Sequence, residues 1–300
     1  MSASRASLRP LRGVRILSLA LNLPGPAALL RCQAMGASCT KLEPPSGDPM
    51  QHYSPTAYAA LHAGVKVARA DLKTDAGQAC LSRELARADV LLTSFRPSAL
   101  QRLGLGRRRL RRDFPALSQV AIVGGVGAQA EVPGHDLTYL AERGLVTGLD
   151  LPATLYADMS GSLMAGEAVL QAVLTSRMSG STEARGVFIE VALAGAAAWL
   201  ARPRDWRLTT PDAPIGGAHA GYRVYPCRGG RVAVAALEPH FAQALCAVAG
   251  VPINGPADLL SPRVHTAIAA FLATRTRAQL DALAATHDLP LHTLPRGTTR

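Results

Sequence analysis

The sequence predicts an α/β protein with a large domain built on a mainly parallel sheet and a smaller α+β domain. Two observations support this prediction. Short β-branched runs alternate with helical patterns through about the first 200 residues, as in βαβ units. A segment rich in proline, glycine and charge, residues 202–217, separates this part from the remainder. We therefore place a large domain at residues 1–201 and a smaller domain at residues 202–300.

The predicted elements of the large domain alternate between apolar strands closed by proline or glycine and helices with helical apolar spacing. The predicted strands are 14–21, 39–42, 90–93, 117–123 and 187–191, and the predicted helices are 27–35, 75–87 and 161–178. Ligands of parallel sheets bind beyond the carboxyl ends of the strands. Residues 19–22, 43, 94–96 and 124–127 are therefore expected to lie near a ligand site.

The smaller domain begins with two predicted strands, 222–225 and 231–235, joined by a turn at Gly229-Gly230. Paired glycines between two apolar runs are typical of a hairpin. Helical patterns follow at 240–249, 264–274 and 277–286. A hairpin followed by helices predicts an α+β unit.

The net charge of +11 favours anionic partners, although an arginine-rich background explains it equally well. Only 4% of the residues are aromatic, and no basic run is interleaved with them, so we predict no nucleic-acid partner. The five cysteines are scattered without metal-ligand spacing, which predicts no metal site and a reducing, cytoplasmic location. The longest apolar run, residues 191–201, is too short to span a membrane, so no membrane partner is expected.

Three acid–base residues stand in distinctive local frames. They are His135 in Pro-Gly-His-Asp, Asp158 just before a predicted helix, and Glu238 in Ala-Leu-Glu-Pro. Each has an ordinary structural interpretation, since Asp158 and Glu238 suit helix starts and a single histidine is usually structural or exposed. Together, a histidine and an aspartate could remove a proton from one face of a carbon and return it to the other. A carboxylate beside the histidine would orient its imidazole.

An ordered series of short motifs resembles the family III CoA-transferases, and within them the α-methylacyl-CoA racemase branch. The motifs occupy residues 11–17, 24–26, 35–37, 41–49, 71–74, 88–90, 95–97, 102–106, 133–136, 222–227 and 236–239, together with Asp158 and Gly161. Each motif is weak alone, but their order and near-family spacing extend from about residue 11 to residue 250. The Gly-His-Asp and Ala-Leu-Glu-Pro frames point to the racemase branch.

The resemblance implies a Rossmann-like large domain that binds CoA, an interlocked homodimer, and an acyl-CoA substrate. No tightly bound cofactor is implied, because coenzyme A is part of the substrate. His135 and Asp158 match the two proton-transfer residues of the racemases, and Glu238 matches a supporting glutamate. In the transferases, the residue that matches Asp158 carries acyl and CoA groups covalently.

By position in the family pattern, Lys73, Arg96 and Arg102 are the candidates for binding the CoA phosphates. Pro44 stands where many members carry an arginine for the CoA nucleotide, and Lys66 is a candidate to replace one lost charge. Their alternative role is ordinary surface charge.

The sequence also departs from the family pattern. His135 and Asp158 are 23 residues apart, fewer than the family pattern implies, because the loop near residues 147–156 is shortened. The segment that returns to the large domain is also expected to be shorter. Three hypotheses therefore stay open: a racemase-like enzyme using His135 and Asp158, a CoA-transferase using a covalent Asp158 intermediate, and a diverged CoA-binding homologue with little activity.

Overall fold

The computed structural model describes residues 8–178 and 185–296. The chain divides into two compact units, and the boundary along the sequence falls between Ala201 and Arg202. Both units combine helices with a sheet, and the α/β class predicted from the sequence is confirmed. None of the described helices is long and apolar enough to cross a membrane.

The first unit is built on a six-stranded sheet in which every described pair of neighbouring strands is parallel. Its strands are β1 (Arg15–Ser18), β2 (Ser38–Glu43), β3 (Lys66–Arg69), β4 (Val90–Thr93), β5 (Ser118–Val123) and β6 (Phe188–Ala192). Their order is β3-β2-β1-β4-β5-β6. The winding direction reverses between β1 and β4, and a ligand crevice is expected at the carboxyl ends of these two strands.

Helices cover both faces of this sheet, as parallel sheets require. They are α1 (Pro24–Ala34), α2 (Met50–Tyr53), α3 (Pro55–Leu61), α4 (Asp75–Leu85), α5 (Pro97–Arg102), α6 (Arg107–Asp113), α7 (Asp136–Glu142), α8 (Tyr156–Met178) and α9 (Leu193–Asp205). Alternate residues of the strands face opposite layers. Leu92 of β4 packs in the same apolar cluster as α1 and α8, whereas Leu91 packs in the cluster that contains residues of α4 and α6. Each fully buried leucine contributes roughly 1.5–3 kcal/mol of transfer free energy, so these layers fix the strand ends in place.

The second unit contains an antiparallel sheet in the order β7-β8-β9. The strands are β7 (Tyr222–Cys227), β8 (Gly230–Ala235) and β9 (Leu291–Pro295), and the helices are α10 (Pro239–Ala249), α11 (Pro262–Ala273) and α12 (Arg277–His287). Val232 and Val234 of β8 pack against Leu245 of α10 and Ile268 of α11 in one buried cluster. This is an α+β arrangement with its own core.

The structure differs from the sequence prediction at several elements. β3 and β9 were not predicted, and α9 continues to Asp205 inside the segment interpreted as a linker. The long helix α8 begins at Tyr156, earlier than predicted, so Asp158 lies in its first turn and does not precede it. The reason is that the side chain of Asp136, distant in sequence, accepts the Asp158 backbone N–H and satisfies a group that would otherwise need a local cap.

Candidate active site

A pocket of about 250 Å³ lies at the carboxyl ends of β1, β4 and β5. It occupies the crevice where the winding of the sheet reverses, which is where the fold predicts a ligand. Its polar lining residues include Asn22, Ser94, Arg96, His135, Tyr139 and Asp158. The pocket therefore brings together His135, Asp158 and Arg96, three of the residues that the sequence identified.

The floor of the pocket is fixed by hydrogen bonds between loops that follow neighbouring strands. The Leu21 backbone N–H donates to Ser94 Oγ at 3.1 Å, which ties the end of β1 to the end of β4. The Asn22 backbone N–H lies 3.1 Å from each carboxylate oxygen of Asp48. Asn22 has a φ of 63°, a left-handed conformation that asparagine tolerates better than most residues. The loop is thus held in a conformation that it would rarely adopt alone.

Asp48 belongs to a buried cluster of charged and polar side chains whose centre is the Lys41 ammonium. Lys41 Nζ lies 3.2 Å from Glu43 Oε1 and 2.8 Å from His62 Nε2, and it donates to Asp48. Tyr58 donates to Glu43 at 2.9 Å. The side chains of Lys41 and Glu43 are fully buried. Sequence reasoning did not identify this cluster, although the motif at residues 41–49 contains most of it.

Three members of this cluster have the chemistry of metal ligands. One donor atom from each of Glu43, Asp48 and His62 lies within 4.8 Å of the others. The Lys41 ammonium contacts all three residues and so takes the place that a cation would occupy. The arrangement is that of a buried ion-pair network with a lysine as its cation.

His135 and Asp136 lie at the start of α7 and face different surroundings. His135 is exposed at the N-cap position and lines the pocket. Its backbone N–H donates to Thr138 Oγ1 at 3.0 Å, which fixes the first turn of α7. Asp136 is only 4% exposed, and its Oδ1 accepts the backbone N–H of Asp158 at 3.0 Å. Asp136 therefore links the helix of one acid–base residue to the helix of the other.

The carboxyl group of Asp158 is placed where ionisation is disfavoured. Burial raises its pKa to about 6, the nearby Asp136 carboxylate adds to this increase, and His135 partly opposes it. A pKa near neutrality lets a carboxyl group accept and release a proton at working pH. Asp136 was not among the site residues that sequence reasoning identified, although it directly follows His135 in the Gly-His-Asp frame.

The structure distributes the predicted CoA-binding residues unevenly. Arg96 is exposed at the N-cap of α5 and lines the pocket, and Arg102 ends the same helix. Both arginines lie close enough to Glu131 to help lower its pKa, after hydrogen bonds from Ser98. They therefore share one region of the surface near the pocket.

Lys66 and Lys73 are both exposed and do not line the pocket. Lys66 is the first residue of β3, at the amino end of the parallel sheet, whereas ligands gather at the carboxyl end. Arg69 ends the same strand opposite Glu43, and its guanidinium donates to Gln51 Oε1 at 2.8 Å. Because Arg69 is at the carboxyl end of β3 and Lys66 at its amino end, Arg69 lies closer to the expected ligand edge of the sheet. The sequence could not distinguish the two residues, because β3 was not predicted.

Glu238 belongs to the second unit, where it occupies the N-cap position of α10. It is exposed, and its side chain makes no capping hydrogen bond. The helix-start position expected from Glu-Pro is therefore present. The role of Glu238 in orienting His135 stays a prediction.

The CoA-transferase family III model matches residues 11–295 of the chain. A probable fatty acyl-CoA transferase of Mycobacterium tuberculosis is 31% identical over 191 residues, which cover 57% of this chain and 48% of that protein. The cinnamoyl-CoA:phenyllactate CoA-transferase of Clostridium sporogenes is 34% identical over 149 residues, with coverages of 45% and 36%. The α-methylacyl-CoA racemase of Mus musculus is 30% identical over 249 residues, with coverages of 77% and 62%.

The aligned parts of the chain thus span between 36% and 62% of the length of these three relatives. Among solved structures, a hypothetical protein from Mycobacterium tuberculosis has the same fold, with a TM-score of 0.79 and 23% identity over 97% of this chain and 93% of that chain. A CaiB/BaiF family protein from Brucella suis has a TM-score of 0.76 and 22% identity, with coverages of 94% and 83%. The resemblance inferred from the short motifs is confirmed, and the chain belongs to the CoA-transferase family III.

Proposed function

We propose that the protein acts on acyl-CoA thioesters and moves the α-proton of a 2-methylacyl-CoA through His135 and Asp158. The observation that supports this most directly is that both residues line one pocket at the switch point of the sheet, where the pKa of Asp158 is raised to about 6. The similarity to mammalian α-methylacyl-CoA racemases agrees with this proposal.

The reaction requires two groups that exchange protons with one carbon. The α-proton of a thioester is weakly acidic, so its removal needs a positioned base and donors that stabilise the enolate oxygen. A carboxyl with a pKa of about 6 is largely ionised at pH 7 and is a stronger base than an ordinary aspartate. Asp158 would accept the proton on one face of the α-carbon, and His135 would supply one on the other. Reversal of these roles returns the starting stereoisomer.

The CoA portion of the substrate carries a pyrophosphate and a 3′-phosphate, which guanidinium groups bind well. Arg96 is placed to meet it at the pocket, with Arg102 at the other end of the same helix. Lys73, Lys66 and Glu238 keep the roles predicted from the family pattern as proposals, and so do the interlocked homodimer and the cytoplasmic location. No tightly bound cofactor and no metal enters the proposed reaction.

A second candidate function is CoA transfer between an acyl-CoA and a carboxylic acid. Transferases are among the relatives, and the family resemblance implies a covalent role for the residue that matches Asp158 in such enzymes. Asp158 would then attack the thioester carbonyl and form an acyl anhydride with release of CoA thiolate. His135 would have no chemical role in this reaction.

The deciding experiment is α-proton exchange followed by NMR, with a 2-methylacyl-CoA in deuterium oxide. We expect deuterium at the α-carbon together with loss of stereochemical purity. Both changes should disappear in Asp158→Asn and in His135→Ala. Racemisation that survives in both variants would rule out the proposed mechanism. An acceptor-dependent reaction with a hydroxylamine-sensitive adduct at Asp158 would favour transfer.

A further inference from the structure

The Tyr139 side chain packs closely against two glycines of the pocket wall, Gly124 and Gly134. It lies in α7, one helical turn after His135, and its backbone N–H donates to the His135 carbonyl oxygen at 3.2 Å. A Cβ atom on Gly124 or on Gly134 would lie 2.6 Å from the Tyr139 hydroxyl oxygen, which is too close for any other residue type. Both glycines line the pocket, so the hydroxyl rests directly on the backbone of its wall.

The Tyr139 hydroxyl has a proton to donate and no acceptor. The residue is 7% exposed, and within residues 8–178 and 185–296 its hydroxyl makes no hydrogen bond. Among the described residues the buried side-chain polar atoms without a partner are Glu43 Oε2 and Arg277 Nε, so the Tyr139 hydroxyl is open to the pocket and within reach of a bound molecule. Burial raises the pKa of Tyr139, and the nearby Asp158 carboxylate adds to the increase, which keeps the phenol protonated.

The other donors near the pocket differ from the Tyr139 hydroxyl in engagement and exposure. The backbone N–H of Asp158 is taken by the Asp136 carboxylate. Ser94 Oγ accepts the Leu21 backbone N–H and keeps its own hydroxyl proton, and the Arg96 side chain is exposed. Tyr139 combines a buried ring with a hydroxyl that is open to the pocket and free to donate to a bound molecule. It is also held on the same helix as His135, so its position relative to that residue is fixed.

We propose that the Tyr139 hydroxyl donates a hydrogen bond to the thioester carbonyl oxygen of the bound acyl-CoA. This inference rests on the proposed function for its substrate class. When the α-proton leaves for Asp158 or His135, the electron pair of the C–H bond forms the C=C bond of the enolate, and the carbonyl π electrons move to oxygen. Tyr139 keeps its proton throughout, and its hydrogen bond strengthens as the oxygen becomes negative. The enolate carbon then takes a proton from the opposite residue, and the carbonyl is restored.

The test uses Tyr139→Phe, which removes only the hydroxyl and leaves the ring packed against Gly124 and Gly134. The first measurement is the carbonyl stretch of a ¹³C-carbonyl 2-methylacyl-CoA, read by isotope-edited infrared difference spectroscopy on the full chain. The reading is made in an Asp158→Asn background, so that no reaction occurs. We expect the bound carbonyl to absorb at lower frequency than free thioester, and to return toward the free value when Tyr139→Phe is added. The matched control is Tyr225→Phe, which removes a buried phenol hydroxyl that donates to the Ala220 carbonyl oxygen in the second unit.

The second measurement is α-proton exchange by Tyr139→Phe with Asp158 intact. We expect kcat to fall about 10²–10³-fold, as for loss of one oxyanion donor, with KM changed little. A carbonyl stretch that does not move in Tyr139→Phe overturns the inference, whatever the exchange rate. If the unsubstituted protein exchanges no α-proton, the racemase proposal fails, but the carbonyl stretch still decides the role of Tyr139. The absence of any bound thioester signal overturns both.

Discussion

The first unit contains a fully buried pair of carboxyl groups and a partly buried pair, and they differ in whether a cation accompanies them. Glu43 and Asp48 surround the Lys41 ammonium, with Nζ 3.2 Å from Glu43 Oε1. Asp136 and Asp158 are joined through a backbone hydrogen bond, and no Lys or Arg pairs with either of them in the described part of the chain. The Lys41 ammonium therefore offsets negative charge in the Glu43–Asp48 pair, whereas no such cation offsets it in the Asp136–Asp158 pair of the described chain.

This difference distinguishes a pair with a structural role from the pair to which we assign the proposed chemistry. A buried carboxylate that is paired with an ammonium can hold backbone groups, as Asp48 accepts the Asn22 and Met50 N–H groups. A carboxyl that is buried beside another carboxyl gains a pKa near neutrality, as Asp158 does. Perturbed carboxyl groups of this kind gather at functional sites. The first pair holds the pocket wall, and in the proposed reaction the second pair supplies the proton acceptor.

The largest expected effect follows from removing the cation of the Glu43–Asp48 pair. Lys41→Met leaves buried Asp48 without a counterion and buried Glu43 with only the half-exposed Arg69 guanidinium 3.8 Å away, and we expect a loss of about 3–5 kcal/mol in the free energy of unfolding. Urea denaturation measures it. The matched control is Arg15→Met, because Arg15 and Asp89 form an exposed pair at 3.3 Å that is worth about 1 kcal/mol or less. Equal losses in the two variants would show that the Lys41 cluster is not the structural element inferred here.

The opposite sign is expected at the second pair. In the folded protein the pKa of Asp158 is raised from 3.8 to about 6, so folding favours its protonated form. Its contribution to stability is full below pH 4 and is lost as pH rises through 6. Asp158→Asn should therefore stabilise the protein by about 1–3 kcal/mol at pH 7.5, while abolishing α-proton exchange. Denaturation at pH 7.5 and at pH 4 checks this, since the gain should be absent at the lower pH.

The sequence predicted the fold class and the central strands because those strands are continuous apolar runs. Residues 90–93 form a strand with the predicted limits, and every residue of β4 is buried. β3 was missed because three of its four residues are exposed at the sheet edge, so no apolar pattern marks it. β9 was missed for a similar reason, since only Thr293 in it is buried.

The candidate site was predictable where a motif marks a residue and not where a long-range contact defines it. His135 and Asp158 were identified by their local frames and Arg96 by its position in the family pattern, and all three line the pocket. Asp136 acts through a contact 22 residues away in sequence, and Tyr139 packs against Gly124 and Gly134, which lie at the two ends of the connection between β5 and α7. Such contacts depend on the folded chain, and no local pattern encodes them.

The contrast between the two pairs can be sharpened by changing the charge beside Asp158. The Asp136 carboxylate raises the pKa of Asp158, second only to burial. Asp136→Asn keeps an oxygen that can accept the Asp158 N–H but removes the charge, so the pKa of Asp158 should fall. In the pH profile of α-proton exchange, the acidic limb should therefore shift to lower pH than in the unsubstituted protein. Glu142→Gln is the control, because Glu142 carries a charge on the same helix and does not contribute to the Asp158 shift. An unchanged acidic limb in Asp136→Asn would mean that Asp158 is not the group that titrates.

The smallest expected effect is on the pH dependence of stability, and it comes from His62, which contacts the Lys41 ammonium of the Glu43–Asp48 pair. Burial lowers the pKa of His62, and the Lys41 ammonium 2.8 Å away acts in the same direction, against the Tyr58 backbone and the carboxylates of Glu43 and Asp48. The unfolded chain therefore binds a proton at His62 more readily than the folded one does, and stability is lost as pH falls below about 6.5. This slope of stability against pH is opposite to that of Asp158.

His62→Asn should flatten the decline in stability as pH falls from 7 to 5, whereas Asp158→Asn should steepen it. Measuring both variants by urea denaturation across this range tests the comparison directly, because slopes of the same sign would contradict the assignment of one pair to structure and the other to proton transfer.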